Sequence, residues 1–509
     1  MLNKEWKALK NGSDIRGIAI ESSNGQVNLT DEAVKRIAAG FVLWLSEKSD
    51  KKPEDLKIAV GHDSRLSADR ISAAVKSAFL EAGVEVFDCG LISTPAMFMT
   101  NIVPELDTDG SVQITASHLP YDRNGLKFFT KAGGCEGCDI EQILLFAQNN
   151  EAYIAQNSGK IVEYDFLSQY AEMLVNKVRN LVNSSEDFEK PLKGFKVVVD
   201  AGNGAGGFYV NKVLIPLGAD TTGSQFLEPD GTFPNHIPNP ENEEAMGFVT
   251  RAVVNAGADM GIIFDTDVDR AGAVDSKGNE INRNKLIALI SAILLEERTP
   301  AVIVTDSITS SGLKKFIENH GGMHHRFKRG YKNVINEAIR LNKEGQFCPL
   351  AIETSGHAAL KENYFLDDGA YLVTKLLIKA AQLKEQGKKL DDLLIGLEEP
   401  VESKEFRMNI LLDDFKPYGE GVIKALEEYA SKCEDWIVAP DNYEGIRISF
   451  DAENGDGWFL LRMSLHEPLM PLNIESNVEG GVKIIAQKLY PALAEFDKLD
   501  SSKLKDYIS

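Results

Sequence analysis

The residues best suited to chemistry lie in short polar segments that each follow an apolar run. The first segment, ITASHLPYDRNGLK at 114–127, places Ser117 beside His118, with Lys127 ten residues further on. A hydroxyl next to groups that move protons or hold phosphate suits a covalent relay. Serine is also a frequent loop residue, so this segment predicts a nucleophile only if other segments supply what the serine lacks alone.

A second segment predicts a cation site. Asp265, Asp267 and Asp269 alternate directly after the apolar run MGIIF, and Arg270 follows them. Three carboxylates at alternate positions of a turn that leaves a strand can converge on one hard cation. A solvated acidic loop and an incomplete calcium loop are the alternatives. The spacing does not favour an EF-hand, which needs a glycine at its sixth position and a glutamate at its twelfth.

A third segment, ETSGH, follows the apolar run PLAI and contains Glu353, Ser355 and His357. Several polar groups around one glycine at a strand end could bind the hydroxyls of a sugar. The alternative is a helix N-cap, which Thr354 or Ser355 would provide.

The remaining candidates are cations placed in turns. Arg462, Ser464 and His466 lie in RMSLHEP, where an arginine fork, a hydroxyl and turn amides could form an anion site. The alternative there is a strand end with an exposed arginine. Arg16 in GSDIRG and Lys328 in FKRGYKN occupy similar turns, and each is more typical of an ordinary surface pair than of a ligand.

Two further motifs are weaker. Gly202, Gly204 and Gly207 form GxGxxG after the strand-like KVVVD, but no clear ribose-binding acid follows at the expected distance. Cys135 and Cys138 form CEGC, which is only half of a zinc site and is more typical of a surface turn.

Composition limits the classes of partner. The chain has 509 residues, 43% of them hydrophobic, and a net charge of −22. This charge argues against nucleic acid or an anionic membrane as the partner, and an anionic substrate would need locally gathered Arg and Lys. No apolar run is long enough to span a membrane, and the N-terminus lacks the apolar core of a signal peptide. Five cysteines fit a reducing cytoplasm.

The elements that must position these segments follow a recurring order. A strand-like run, a polar loop, a helix-period stretch and a glycine before the next apolar run occur at 57–90, 196–222 and 301–325. This order is typical of βαβ units in an α/β layer fold. Near the C-terminus, alternating residues around Asn454 and Gly455 predict an antiparallel hairpin, and a helix is expected within 477–494.

We therefore predict four domains: three similar α/β domains and a C-terminal α+β domain. Their expected limits are 1–158 with the serine segment, 159–297 with the aspartate segment, 298–398 with the ETSGH segment and 399–509 with the RMSLHEP segment.

The order of these motifs resembles the α-D-phosphohexomutase superfamily, in particular the bacterial phosphomannomutase/phosphoglucomutase group. TASHLP is close to the family's TASHNP, DTDVDR to its DGDxDR, and ETSGH to its GExSGH. The likeness covers nearly the whole chain. It implies three α/β domains of similar topology and a fourth helix-and-sheet domain around a central cleft.

The resemblance also assigns roles. The implied ligands of one Mg²⁺ per chain are the phosphate of Ser117 with Asp265, Asp267 and Asp269. The implied catalytic residues are Ser117, His118, Lys127 and Arg270. The implied substrate-binding residues are Arg16, Lys328, Glu353, Ser355, His357, Arg462, Ser464 and His466. Lys127, His118 and His357 are all candidates for the general acid/base.

The implied reaction interconverts hexose 6-phosphate and hexose 1-phosphate, of mannose and/or glucose. It proceeds through a phosphoserine and a 1,6-bisphosphate, with hexose 1,6-bisphosphate as activator.

The chain departs from the family at Leu119, Thr266, Leu465 and His466. The altered phosphate loop leaves open a hexose 1,6-bisphosphate synthase. A non-catalytic sugar-phosphate-binding regulator is a second alternative, but it would need neither a nucleophile nor a metal, so Ser117 and the three aspartates argue against it. A nicotinamide-dependent enzyme is the weakest alternative. We expect a cytoplasmic monomer or homodimer.

Overall fold

The chain folds into two compact units in a computed structural model that describes residues 1–440, 442–464 and 467–509. The first unit comprises Met1–Leu286 and Ser355–Leu393, and the second comprises Ile287–Thr354 and Leu394–Ser509. Each unit has its own buried apolar clusters. The predicted domain limits at 158, 297 and 398 stay a prediction.

The first unit begins with a mixed sheet of eight strands in the order β1-β2-β6-β5-β3-β4-β8, with β7 paired to β6. Its strands are β1 Lys10–Asn11, β2 Asp14–Ile18, β3 Lys57–His62, β4 Glu85–Leu91, β5 Gly110–Ile114, β6 Arg123–Thr130, β7 Gly133–Gly134 and β8 Lys160–Glu163. The parallel pairs β3–β4 and β3–β5 confirm the βαβ unit predicted at 57–90. The antiparallel pair β5–β6 sets Gln113 opposite Lys127, next to the serine loop.

A second sheet of the first unit has the order β12-β11-β10-β9. Its strands are β9 Val197–Asp200, β10 Met260–Phe264, β11 Ala271–Asp275 and β12 Glu280–Ile281. Every residue of β10 is buried, which suits its unbroken apolar sequence. Because β11 returns antiparallel to β10, the aspartate segment is the tight connection between them.

The βαβ unit predicted at 196–222 is only partly present. Its first strand is β9, but a π-helix spans Tyr209–Leu214, and isolated bridges replace the second strand. Pro216 lacks the amide that would continue the helix, and the following Pro/Gly-rich segment cannot supply a regular ladder.

The third βαβ unit, predicted at 301–325, is confirmed in the second unit by parallel strands. These strands are β13 Val302–Thr305, β14 Met323–Arg326 and β15 Leu350–Ile352. The chain then returns to the first unit with the antiparallel pair β16 Ala358–Leu360 and β17 Leu366–Asp367.

The C-terminal sheet belongs to the second unit and is antiparallel throughout, in the order β18-β22-β21-β20-β19. Its strands are β18 Glu402–Asn409, β19 Ile437–Val438, β20 Ile446–Phe450, β21 Gly457–Leu461 and β22 Leu469–Ser476. The pair β20–β21 is the predicted hairpin. Gly455 in its turn has a φ of 106°, a conformation that glycine adopts without strain.

The described part of the chain also contains fourteen α-helices. They are α1 Lys4–Lys7, α2 Asp31–Ser49, α3 Ala68–Glu81, α4 Thr94–Met99, α5 Gly137–Gln148, α6 Phe166–Val182, α7 Glu243–Ala256, α8 Arg283–Glu297, α9 Ser311–Asn319, α10 Tyr331–Lys343, α11 Gly369–Glu385, α12 Phe415–Ala430, α13 Gly481–Leu493 and α14 Ser502–Ile508. The helix expected within 477–494 is α13. In the residues that the structure describes, no helix has both the length and the apolar character needed to cross a membrane. Alternating α/β segments followed by an α+β region confirm the predicted fold class.

Candidate active site

Ser117 lies three residues beyond the end of β5 and is buried. Its φ of 52° is left-handed, which is uncommon for a residue with a side chain. Its amide donates to Thr115 Oγ1 at 2.9 Å. Its hydroxyl lies 2.9 Å from both Asp265 Oδ2 and Arg270 Nη2. The serine predicted as nucleophile is therefore surrounded by a carboxylate and a guanidinium of the aspartate segment.

The backbone of the serine loop is held by Arg65, whose side chain is fully buried. Its Nη1 donates to the carbonyls of Pro120 and Arg123 at 2.8 and 2.9 Å. Its Nη2 donates to the carbonyls of Ser117 and Leu119. Asp63, which is also fully buried, lies 3.3 Å from Nε and balances the charge of the guanidinium.

The three aspartates converge at the end of β10. One oxygen from each of Asp265, Asp267 and Asp269 lies within 4.8 Å of the others, and all three side chains are buried. Lys127 extends from β6 and places Nζ 3.0 Å from Asp267 Oδ2 and 2.5 Å from Asp269 Oδ2. Thr94 Oγ1 donates to Asp267 Oδ2 at 2.5 Å.

This cluster fits a hard divalent cation. Its donors are all oxygens, which is the set that Mg²⁺ and Ca²⁺ prefer. Among the described residues, no hydrogen bond satisfies the buried Oδ1 atoms of Asp267 and Asp269. Burial, and after it the negative charge of Asp269, raises the pKa of Asp265 well above its ordinary value, although Arg270 opposes this shift. A cation would relieve this clustering of buried negative charge.

The glycines of GxGxxG contact the protein's own backbone. A Cβ on Gly204 would lie 2.5 Å from the carbonyl oxygen of Thr266, and the Ala205 amide donates to that oxygen at 2.8 Å. Thr266 lies between two of the clustered aspartates. This part of the motif therefore lets β9's loop approach the aspartate loop, which accounts for the glycine without a dinucleotide.

His118 is held in its neutral form. Its Nδ1 lies 3.3 Å from Ser117 Oγ and accepts a hydrogen bond from Arg270 Nη2 at 2.6 Å, since a guanidinium can only donate. Burial, followed by the positive charges of Arg270 and Arg16, lowers the pKa of His118 to about 2.

His357 has the opposite electrostatic environment. Burial opposes its charge, but Asp367 and Asp269 outweigh burial and raise the pKa of His357 to about 9. Its Nδ1 contacts Asp367 Oδ2 directly. A bridge between Arg270 and His357 joins the ETSGH segment to the aspartate loop.

Two other predicted residues lie in the first unit. Arg16, on β2, pairs with Asp14 at 2.8 Å and reaches the Ala116 carbonyl at 3.5 Å. Ser355 is buried, and its Oγ has no hydrogen-bond partner within the described ranges. The first unit thus brings together Ser117, His118, Lys127, Arg270 and the three aspartates.

The second unit contains the other predicted substrate residues. Glu353 Oε1 accepts from the Gly330 amide at 2.6 Å, in the turn that begins with exposed Lys328. Arg462 Nε lies 3.3 Å from Glu444 Oε1, and Ser464 Oγ accepts from the Glu467 amide at 3.3 Å. His466 and the neighbouring Leu465 lie outside the described residues.

The sequence predictions missed several supporting residues. Thr94 contacts the aspartate loop, and Asp367 faces His357. Thr94 is the first residue of α4, within the sequence Ser-Thr-Pro that signals only a helix cap, so no sequence pattern connects it with Asp267. Asp367 is the last residue of the short strand β17 in LDDG, where a polar strand end is the only available signal.

The CEGC segment leads into a helix. Cys135 is buried and Cys138 is exposed at the beginning of α5, whose N-terminus carries a capping box formed by Glu136 and Asp139. In the described residues, the two groups of side chains that could hold a metal are Asp265, Asp267 and Asp269, and Asp269, His357 and Asp367; neither group contains a cysteine.

This chain is similar to known proteins over most of its length. Three family models match: phosphoglucomutase/phosphomannomutase alpha/beta/alpha domain I at 7–152, domain II at 168–278 and domain III at 282–400. A phosphoglucomutase of Neisseria gonorrhoeae is 29% identical over 484 residues, which are 95% of this chain and 95% of that protein. A phosphomannomutase/phosphoglucomutase of Pseudomonas putida is 29% identical over 431 residues, 84% of this chain and 85% of that protein.

A solved structure supports the same relationship. A phosphoglucomutase/phosphomannomutase family protein from Burkholderia thailandensis superposes with a TM-score of 0.80 at 25% identity, covering 98% of this chain and 100% of that one. Because the family models match well over half of the residues, this chain belongs to the phosphoglucomutase/phosphomannomutase family of α-D-phosphohexomutases.

Proposed function

We propose that this chain interconverts hexose 1-phosphate and hexose 6-phosphate, of glucose and/or mannose, through a phosphorylated Ser117 and a hexose 1,6-bisphosphate. The observation that carries the proposal is the position of the Ser117 hydroxyl, 2.9 Å from both Asp265 and Arg270 beside three clustered carboxylates. A sugar-binding protein without catalysis would require neither this hydroxyl nor the carboxylates.

In the proposed reaction, phosphorylated Ser117 donates its phosphoryl group to the free hydroxyl of the sugar phosphate. The other phosphate of the resulting bisphosphate then returns to Ser117. A phosphoserine carries about −1.5 to −2 charges near pH 7, so the loop needs positive charge nearby. Arg270 supplies such charge at hydrogen-bond distance from Oγ.

Mg²⁺ is the cation that we propose for the cluster, held by Asp265, Asp267, Asp269 and the Ser117 phosphate. When bound, it would neutralise charge on the transferring phosphoryl group. Lys127 already contacts two of the aspartates, so its ammonium and the cation would share the same carboxylates.

The surroundings of the three acid/base candidates support different roles. His118 Nδ1 is occupied by Arg270, so this imidazole is poorly suited to accept a proton there. His357, with its raised pKa, suits a positively charged donor. Lys127 remains a candidate for moving the proton of the sugar hydroxyl, since an ammonium has three donors and can rotate between acceptors.

The substrate-binding residues complete the proposal. Arg462 and Ser464 would bind the non-reacting phosphate, with His466, while Glu353 and Ser355 would bind sugar hydroxyls. Arg16 and Lys328 would add positive charge for an anionic substrate. The names of the relatives support a mutase, and none of those quoted names a bisphosphate synthase. We further propose that hexose 1,6-bisphosphate activates the enzyme, and that it works in the cytoplasm as a monomer or homodimer.

The test is mass spectrometry of the purified protein with and without glucose 1,6-bisphosphate, together with assays on glucose, mannose and glucosamine phosphates. A phosphate on Ser117 and turnover that is lost in Ser117→Ala are expected. Turnover that persists in Ser117→Ala would reject the relay. Net production of a sugar bisphosphate from fructose 1,6-bisphosphate and glucose 1-phosphate would instead indicate the synthase.

A further inference from the structure

The second unit contains a partly buried carboxylate that connects two of the proposed substrate-binding segments. Glu444 lies in the turn before β20, and only 16% of its side chain is exposed. Its Oε2 accepts a hydrogen bond from the Arg329 amide at 2.6 Å, and its Oε1 lies 3.3 Å from Arg462 Nε. One carboxylate thus contacts both the Lys328 turn and the Arg462 segment.

The contact with Arg462 uses only one side of the guanidinium. Glu444 lies on the Nε side, and no hydrogen bond within the described residues engages the two terminal nitrogens of Arg462. Those nitrogens form the fork with which arginine binds phosphate oxygens in pairs. The Oε1–Nε contact is an ion pair without a hydrogen bond, so it leaves this fork available while the charge of Glu444 attracts the Nε side of the guanidinium.

The residues around Glu444 also contact the Lys328 turn and the strand before it. Tyr443, its neighbour, packs against Phe327 and His325, with ring centroids 4.9 and 5.4 Å apart. The next amide of the turn, that of Gly330, donates to Glu353. Two consecutive amides of one turn therefore bind two carboxylates, one next to Arg462 and one proposed to bind sugar hydroxyls.

We infer that Glu444 is a positioning residue. It orients Arg462 toward the non-reacting phosphate and fixes the position of Arg462 relative to the Lys328 turn. This inference rests on the proposed function of Arg462. Uniform loss of substrate and transition-state binding raises KM and leaves kcat largely unchanged. Since Arg462 would bind a phosphate that does not react, loss of its orientation should act in this way.

The decisive variant is Glu444→Gln, which keeps a carbonyl for the Arg329 amide but removes the charge that holds Nε. We expect KM for glucose 1-phosphate to rise about tenfold, a loss of about 1.4 kcal/mol of binding free energy, with kcat unchanged to within about twofold.

The matched control is Glu405→Gln. Glu405 also acts on Arg462 through its charge, but its side chain contacts Asn473 and Arg407. Removal of the Glu405 charge should leave KM within about twofold of its value in the unmodified chain.

A double-mutant cycle with Arg462→Lys separates positioning from a general effect on folding. Lysine lacks both Nε and the fork, so Glu444→Gln should add little to KM in that background. An unchanged or lowered KM in Glu444→Gln would overturn the inference, as would an equal effect of Glu405→Gln. Equal effects of Glu444→Gln with and without Arg462 would also overturn it.

Direct titration of the full chain with inorganic phosphate keeps this test distinct from that of the proposed function. Weaker phosphate binding in Glu444→Gln and in Arg462→Lys, but not in Glu405→Gln, would support positioning even if no hexose phosphate were turned over. If Arg462→Lys bound phosphate as tightly as the unmodified chain, both the phosphate role of Arg462 and the inference would be rejected, whatever the mutase assays showed.

Discussion

Replacing Arg65 with lysine should slow catalysis although Arg65 is not in contact with the Ser117 hydroxyl. The two terminal nitrogens of Arg65 donate to four backbone carbonyls of the serine loop, from Ser117 to Arg123. The left-handed φ of Ser117 persists only where the surroundings hold it. Arg65 stabilises this backbone conformation by donating to its carbonyl oxygens.

The contacts set the size of the effect. A lysine ammonium has three N–H donors on one nitrogen, so at least one of the four carbonyls would lose its donor. A buried acceptor that loses its partner costs about 1–3 kcal/mol. If about 2 kcal/mol of this loss affects the placement of Ser117, the rate of phosphoryl transfer falls about thirtyfold. Because lysine keeps the positive charge beside Asp63, the buried carboxylate is not left without a cation.

The assay compares kcat and the melting temperature of Arg65→Lys with those of Arg70→Lys. Arg70 also donates to two carbonyls, those of Ala19 and Leu29 at 2.9 and 3.2 Å, but it does not hold the serine loop. We expect Arg70→Lys to retain kcat within about twofold. If Arg65→Lys retained kcat to the same degree, the link between these carbonyls and the position of Ser117 would be refuted.

Four other outcomes are expected. Ser117→Ala should abolish turnover without changing the melting temperature by more than a few degrees, as checked by calorimetry. Asp267→Asn should weaken Mg²⁺ binding in calorimetric titration and reduce the rate in parallel; an unchanged affinity would place the metal elsewhere. Gly204→Ala should weaken Mg²⁺ binding through contact with the Thr266 carbonyl, whereas Gly247→Ala, whose nearest contact is the end of a flexible arginine, should not. Burial raises the pKa of Glu475 to about 7, against the effect of Arg447, so the folded chain holds an extra proton between about pH 4.5 and 7 and loses stability as pH rises through that window. At pH 8, Glu475→Gln should therefore have a higher melting temperature than the unmodified chain, and its free energy of unfolding should be larger by up to about 3 kcal/mol. The difference should shrink toward pH 5.

The strands and their order were the most predictable part of the fold. The βαβ units at 57–90 and 301–325 and the C-terminal hairpin follow from hydrophobic periodicity and turn residues, and the structure contains all three. The unit at 196–222 was harder because its helix is a six-residue π-helix that ends before Pro216. Periodicity over so short a stretch does not distinguish an α-helix from a π-helix, and a strand reduced to single bridges leaves little pattern.

Within the site, sequence predicted the residues that carry charge more readily than those that hold them. Three alternating aspartates after an apolar strand are a local pattern, so their convergence follows from the strand end alone. The contacts of Thr94 with Asp267 and of Asp367 with His357 join residues that no spacing relates. Their importance depends on which loops meet at the ends of different strands, and this is a property of the tertiary structure.

The glycine motif shows why one sequence pattern can predict the wrong partner. In a dinucleotide-binding loop, glycine is needed because a pyrophosphate approaches the backbone closely. Here the same demand comes from the carbonyl of Thr266, which occupies the space next to Gly204 and accepts from the Ala205 amide. Because Thr266 separates Asp265 from Asp267, the glycine loop supports two of the proposed metal ligands. The pattern therefore correctly predicts a close backbone approach after a strand, and only the tertiary structure shows that the approaching group is another loop of the same chain.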